Sequence, residues 1–130
     1  VHGSGLDEAA VHGTTEIAEL KEDGTIERST LTPADLGAKR LYSIEEIKGG
    51  APADNALITE AILAGKGTEA QQAFVTANLA LLLKIGGLAK SLPEAVELAR
   101  RTMASGKGLE VLNAHRAYAA SHTASSQKAA

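Results

Sequence analysis

Val1-His2-Gly3-Ser4-Gly5-Leu6-Asp7-Glu8 opens the chain, and its reading decides the fold. Val1-His2-Gly3 reads as the end of a β-strand running into a glycine turn. Gly3, Gly5 and Gly13 punctuate a loop over residues 3–13, where glycine allows left-handed conformations and close main-chain approach. Loops at the carboxyl ends of strands are where α/β proteins bind ligands. A strand end at the first position, with valine there rather than methionine, gives the expectation that this is a C-terminal piece of a longer protein.

Immediately downstream lies a hairpin. Thr15 to Lys21 and Thr25 to Leu31 flank Glu22-Asp23-Gly24, and Asp-Gly between two strand-like runs is a strong hairpin signal. The alternation sets Ala18 and Leu20 on one face and Glu19 and Lys21 on the other, with Glu27 and Ser29 marking the wet face of the second strand. Thr32-Pro33-Ala34-Asp35 predicts a one-turn helix stopped by Gly37, and Ser43-Ile44-Glu45-Glu46 a second short one ended by Gly49-Gly50. From residue 53 the chain reads as helical. Asp54 or Asn55 caps a helix that stops at Gly65. Thr68 and Gln71 form a capping box for the longest helix, over residues 69–85. Its apolar positions nearly encircle it, so it is expected to be the central, most buried element. Ser91-Leu92-Pro93-Glu94 opens an amphipathic helix broken at 105–108, and a last helix spans 109–120. A short β element followed by helices reads as α+β, or as the tail of an α/β domain.

The composition narrows the chemistry. The chain has 130 residues and no cysteine, which excludes disulfides and thiolate chemistry. Alanine supplies 25 residues, with only Tyr42, Phe74 and Tyr118 aromatic, so the core must be closely packed helices or be completed from outside. A net charge of −3 argues against a nucleic-acid partner. Residues 1–65 carry 5 Lys/Arg against 12 Asp/Glu, and residues 66–130 carry 8 against 4, a split that suits internal pairing. The longest apolar run, Leu79 to Leu83, is too short to cross a bilayer, no signal-peptide pattern opens the chain, and the cytoplasm is the expected setting.

Asp7 and Glu8 are the candidate metal ligands. Adjacent carboxylates in a glycine-rich loop can share Mg²⁺, which takes few protein ligands and keeps its waters for phosphate oxygens. The alternative is two solvated acids in the first turn of a helix. His2 and His12 are either general acid/base groups or loop histidines bonded to main chain, and His115 and His122 read as solvated. Gly65-Lys66-Gly67-Thr68 resembles the tail of a phosphate loop, but it follows a helix, so it reads as a helix stop and a cap. Arg100-Arg101 reads as an exposed cationic pair late in a helix.

The ordered series says more than any one motif. Val1-His2-Gly3-Ser4-Gly5-Leu6-Asp7-Glu8, Ile17-Ala18-Glu19-Leu20, Leu31-Thr32-Pro33-Ala34-Asp35-Leu36-Gly37, Gly49-Gly50, Asn55-Ala56, Gly65-Lys66-Gly67, Ala77-Asn78-Leu79-Ala80 and the stretch from Ala99 to Ser105-Gly106 resemble the C-terminal third of the anthranilate phosphoribosyltransferases. The resemblance implies an α/β fold: the C-terminal part of a nucleoside phosphorylase/phosphoribosyltransferase-like domain over residues 1–120, built as an antiparallel hairpin followed by four helices, with a flexible tail at 121–130. It implies that Asp7 and Glu8 bind Mg²⁺ on the pyrophosphate of phosphoribosyl pyrophosphate, that anthranilate is the acceptor, and that the whole protein is a homodimer. The sequence departs from the family at Thr14-Thr15, where proline is common, at Leu36, where phenylalanine is usual, and by an extra residue near Lys39–Leu41. The family's phosphate-cradling glycine loop, its anthranilate-contacting arginine and most of its helical domain correspond to sequence before Val1. No catalytic residue is therefore assigned within these residues. The competing reading is a binding or structural module that keeps the fold without the chemistry, and a glycine-rich phosphate loop before Val1 would decide for the enzyme.

Overall fold

A computed structural model describes residues 1–127. Three strands form one antiparallel sheet in the order β1 (His2–Gly3), β2 (Thr15–Leu20), β3 (Ile26–Leu31). His2 pairs with Glu16, and the hairpin register sets Ile17 opposite Ser29 and Glu19 opposite Glu27. The predicted turn is present. Gly24 takes φ +84°, and the Lys21 amide donates to the Thr25 carbonyl at 2.9 Å. The buried and exposed faces of β2 are the reverse of the expectation. Thr15 is fully buried and Ile17 half-buried, while Ala18 is exposed and Leu20 is 72% exposed. The inward face carries Glu19 because cations meet it there: Lys21 at 2.8 Å and, from the third helix, Lys84 at 3.7 Å.

Among the described residues five helices follow: α1 (Ile44–Ile47), α2 (Pro52–Leu63), α3 (Glu69–Ile85), α4 (Leu92–Ala104) and α5 (Lys107–Gln127). The Thr32–Gly37 segment is a turn rather than the expected helix. Asp35 accepts from both the amide and the hydroxyl of Thr32, and Gly37 turns the chain away at φ +84° before a second helical turn forms. α2 starts one turn earlier than predicted, with Pro52 at its first position. Asp54 then reaches back to the Ala51 amide and Asn55 to the Gly50 amide, from inside the helix. The box at Thr68/Gln71 lies where the sequence sets it; at Ser91 the hydroxyl accepts from the Glu94 amide, but the Glu94 carboxylate accepts from the Lys90 amide, so the expected box is a one-sided cap. α5 continues beyond 120 to Gln127 because no glycine or proline interrupts its alanine-rich stretch. Residues 128–130 of the expected tail lie outside the described residues. Among the described residues no helix is long and apolar enough to cross a membrane.

Alanine makes the core. α3 packs along α4, and the buried surfaces are Ala77 and Ala80 on α3 and Ala95, Val96 and Ala99 on α4. A second cluster joins Ala9, Val11, Leu36 and Tyr42 to Ala70 and Ala77. α3 is thus central, as expected, but it is not buried all round. Phe74, Leu79, Leu81 and Leu83 pack partly buried against the two clusters, while Leu82 at 67% and Ile85 at 80% exposure point outward. Small side chains let neighbouring backbones come close, so the packed face of α3 is its alanine face. Arg100 and Arg101 lie exposed late in α4, as expected, and Arg100 has a partner beyond its helix. Its guanidinium donates to the Gly37 carbonyl and ties the turn to α4.

Arg40 stacks over the Tyr42 ring and pairs with Glu46 at 2.7 Å. The hydrogen bond from Arg40, followed by that from the Ser43 amide, holds the Glu46 carboxyl at about 2, against an ordinary value of 4.5. A carboxylate held low stabilises the fold above its ordinary value, and that contribution is lost as pH falls through the folded one. Urea midpoints should therefore fall between about pH 4.5 and pH 2 less steeply in Glu46→Gln than in the unaltered chain. Leu36→Ala, at a fully buried site, should lose about 2–5 kcal/mol, whereas Leu82→Ala should leave the urea midpoint nearly unmoved.

Candidate functional site

The loop after β1 folds back on itself. Ser4 (φ +48°) and Gly5 (φ +98°) make a tight turn, closed by the Gly3 amide to the Leu6 carbonyl at 2.9 Å and the reverse bond at 3.1 Å. The Ser4 hydroxyl donates to the Thr14 carbonyl at 2.9 Å, which joins the turn to the far end of the loop. His12 completes that junction, since its Nε2–H can only donate to the Ser4 carbonyl, at 3.3 Å. His12 is therefore the loop histidine bonded to main chain. His2 lies exposed on the strand, and His122 stacks on Tyr118 with ring centroids 3.9 Å apart.

Residues 9–11 form the floor of the loop and are fully buried. Three different elements hold their main chain. The Ala9 amide donates to Asn78 Oδ1 at 2.9 Å, and Asn78 Nδ2 donates to the Ala9 carbonyl at 3.2 Å. The Ala10 amide donates to Thr15 Oγ1 at 2.9 Å, and the Tyr42 amide to the Val11 carbonyl at 3.0 Å. Gly3 presses against the same strip, where an added Cβ would sit 2.3 Å from the Glu8 carbonyl oxygen and 2.5 Å from the Ala10 nitrogen. Glycine is required at position 3 by this approach rather than by a left-handed conformation.

Asp7 and Glu8 sit at the exposed edge of this pinned loop. The segment is not helical, which removes the first-turn reading of the two acids. Among the described residues neither carboxylate takes part in a hydrogen bond or an ion pair. No group of three or more His, Cys, Asp or Glu side chains is gathered anywhere among the described residues. Two free, adjacent oxygen donors, held by a rigid floor and open to solvent, fit a hard cation that keeps most of its waters. On its other side Glu8 borders an apolar cleft of about 400 Å³ lined by Leu63, Phe74, Val75, Leu79 and Met103. Further ligands to such a cation would therefore come from the solvent side. Asn78 and Thr15 were legible in the sequence only as departures from a local rule: an amide inside an Ala/Leu-rich helix and a hydroxyl at the first residue of a strand.

Residues 1–109 match the family described as glycosyl transferase family, a/b domain. The chain belongs to that family. Among curated relatives, the anthranilate phosphoribosyltransferase of Tolumonas auensis is 54% identical over 109 residues, covering 84% of this chain and 32% of the relative. That of Colwellia psychrerythraea is 51% identical over 112 residues, covering 86% and 30%. The crystal structure of anthranilate phosphoribosyltransferase from Thermus thermophilus superposes with a TM-score of 0.79 at 29% identity, over 90% of this chain and 34% of that one. The chain thus spans about a third of the length of the family members it matches, and its α/β fold agrees with the family. Gly3→Ala should lose about 1–3 kcal/mol or more in urea unfolding, because the added methyl meets main chain rather than a movable side chain.

Proposed function

We propose that this chain is the pyrophosphate-facing segment of an anthranilate phosphoribosyltransferase, and that Asp7 and Glu8 are its Mg²⁺ ligands. The observation that carries the reading is the unpaired, exposed carboxylate pair on a loop whose floor is fixed by three elements. It is supported by relatives bearing that name at above half identity. In the proposed reaction the anthranilate amine nitrogen bonds to the anomeric carbon of phosphoribosyl pyrophosphate. The bond from that carbon to the pyrophosphate oxygen breaks, pyrophosphate departs with the electron pair, and the nitrogen loses a proton. Bound Mg²⁺ would supply neutralisation of the charge that develops on the leaving pyrophosphate.

The residues of this chain have one task in that scheme. The Ala9 and Ala10 amides are committed inward, to Asn78 and Thr15, and cannot cradle phosphate oxygens. At these two positions a phosphate would therefore meet the carboxylate-held cation and not an amide. Asp7 and Glu8 keep that position open because no lysine or arginine of the described residues neutralises them. The same reading carries a cytoplasmic setting and a homodimer for the whole protein. It also leaves the cradle for the 5-phosphate and the groups that orient anthranilate to the two-thirds of the relatives' length that lies outside this chain.

Holding two substrates in line is worth about 7–11 kcal/mol of a barrier, and one cation clamp does not supply it. The 130 residues alone should give no detectable loss of anthranilate fluorescence with phosphoribosyl pyrophosphate and Mg²⁺, and activity should appear on addition of the N-terminal part of a relative. Turnover by the chain alone, comparable to that of an intact relative, would overturn this division of labour.

A further inference from the structure

We infer that Asn78 is the positioning residue of the divalent-cation site, acting through Ala9 on the main chain of Glu8; the inference rests on the assignment of Asp7 and Glu8 as cation ligands. The Asn78 carboxamide uses both its donors and its oxygen. Oδ1 accepts from the Ala9 amide at 2.9 Å, and Nδ2 donates to the Ala9 carbonyl at 3.2 Å and to the Phe74 carbonyl of its own helix at 2.9 Å. The bond to Phe74 fixes which way round the amide sits, so the oxygen faces the Ala9 N–H. Both polar groups of a single residue, Ala9, are gripped by one side chain 69 positions away.

The grip bears directly on Glu8. The peptide joining residues 8 and 9 contains the Ala9 N–H on one side and the Glu8 carbonyl on the other. Asn78 holds the first, and the second lies against Gly3, so close that a Cβ added there would sit 2.3 Å from its oxygen. The plane of this peptide, together with that of the peptide before Glu8, sets the direction in which the Glu8 side chain leaves the backbone. Asparagine inside a helix gives up the propensity of alanine, and it stands here between Ala77 and Leu79 in the apolar stretch that runs on to Leu83. Partners that orient metal-binding side chains typically set affinity by about 10–100-fold when removed.

Asn78→Asp separates this role from its alternatives. The aspartate is nearly isosteric and still accepts from the Ala9 amide, but it donates nothing to the Ala9 or Phe74 carbonyls. It also adds negative charge near the site, which by charge alone would tighten cation binding. The probe is Mn²⁺, an oxygen-preferring divalent ion, read as broadening of amide signals in the full 130-residue chain and competed with Mg²⁺. In the unaltered chain broadening should centre on residues 7–9, and it should vanish in the Asp7→Asn, Glu8→Gln variant. Asn78→Asp and Asn78→Ala should each weaken Mn²⁺ binding by about tenfold or more and speed hydrogen exchange at the Ala9 amide. Leu82→Ala, on the exposed face of the same helix, should change neither. If Asn78→Ala does not fold, Asn78→Asp carries the test. Binding as tight as that of the unaltered chain in a folded Asn78 variant overturns the positioning role while the metal assignment stands. Equal broadening in the unaltered chain and the Asp7/Glu8 variant overturns the metal assignment, and the positioning role with it.

Discussion

The loop of residues 7–10 lies close enough to α3 for one side chain to grip both polar groups of Ala9, and that closeness depends on alanine. Ala9 and Ala77 belong to the same buried cluster, each fully removed from solvent. A larger residue at either position would push the loop off the helix beyond the reach of an asparagine side chain. The scarcity of bulky residues in this chain is thus a condition for the site. A core of leucine and phenylalanine would hold more apolar volume but would hold the loop farther away.

The hairpin and two helix starts were legible in the sequence because they are decided locally. Asp23-Gly24 marks the hairpin, and Thr68/Gln71 and Ser91/Glu94 mark two helix starts, through contacts within a few residues. Faces were not legible. Ala18 and Leu20 look inward by hydropathy, yet Thr15, Ile17 and Glu19 face the protein, because Lys84 arrives from α3 and Thr15 binds the Ala10 amide. The pattern of α3 misled in the same way. Ten or so apolar positions around a helix do not reveal that the fully buried ones are alanines and that Leu82 and Ile85 face outward. Of the site, the carboxylate pair was legible from adjacency and glycine content. Asn78 was not, because its partner lies 69 residues earlier.

The uneven charge resolves into particular pairs. Lys84 meets Glu19 and Arg116 meets Glu60, each a base of the second half on an acid of the first. Glu69 gathers Lys39 and Arg40 in the opposite sense. Such exposed pairs add little stability singly, but their placement matters for what they leave out. Among the described residues, Glu19 and Glu27 on the hairpin, Glu45 and Glu46 on α1 and Glu60 on α2 are answered by cations, whereas Glu16, Glu22, Asp23 and Asp54 are not, and nor are Asp7 and Glu8.

α3 therefore acts as a ruler. Residues along an α-helix advance by about 100° each, and the grip on Ala9 lies ten positions beyond the Thr68 cap. Inserting or deleting a single residue between the cap and Asn78 would swing the carboxamide away from the loop, even if every apolar contact found a substitute. Length changes before Thr68 or after Ile85 would leave it in place. Drift in the number of residues is thus confined to the loops at the two ends of this helix, and the interval from 68 to 78 is a span whose length, apart from its composition, is under constraint.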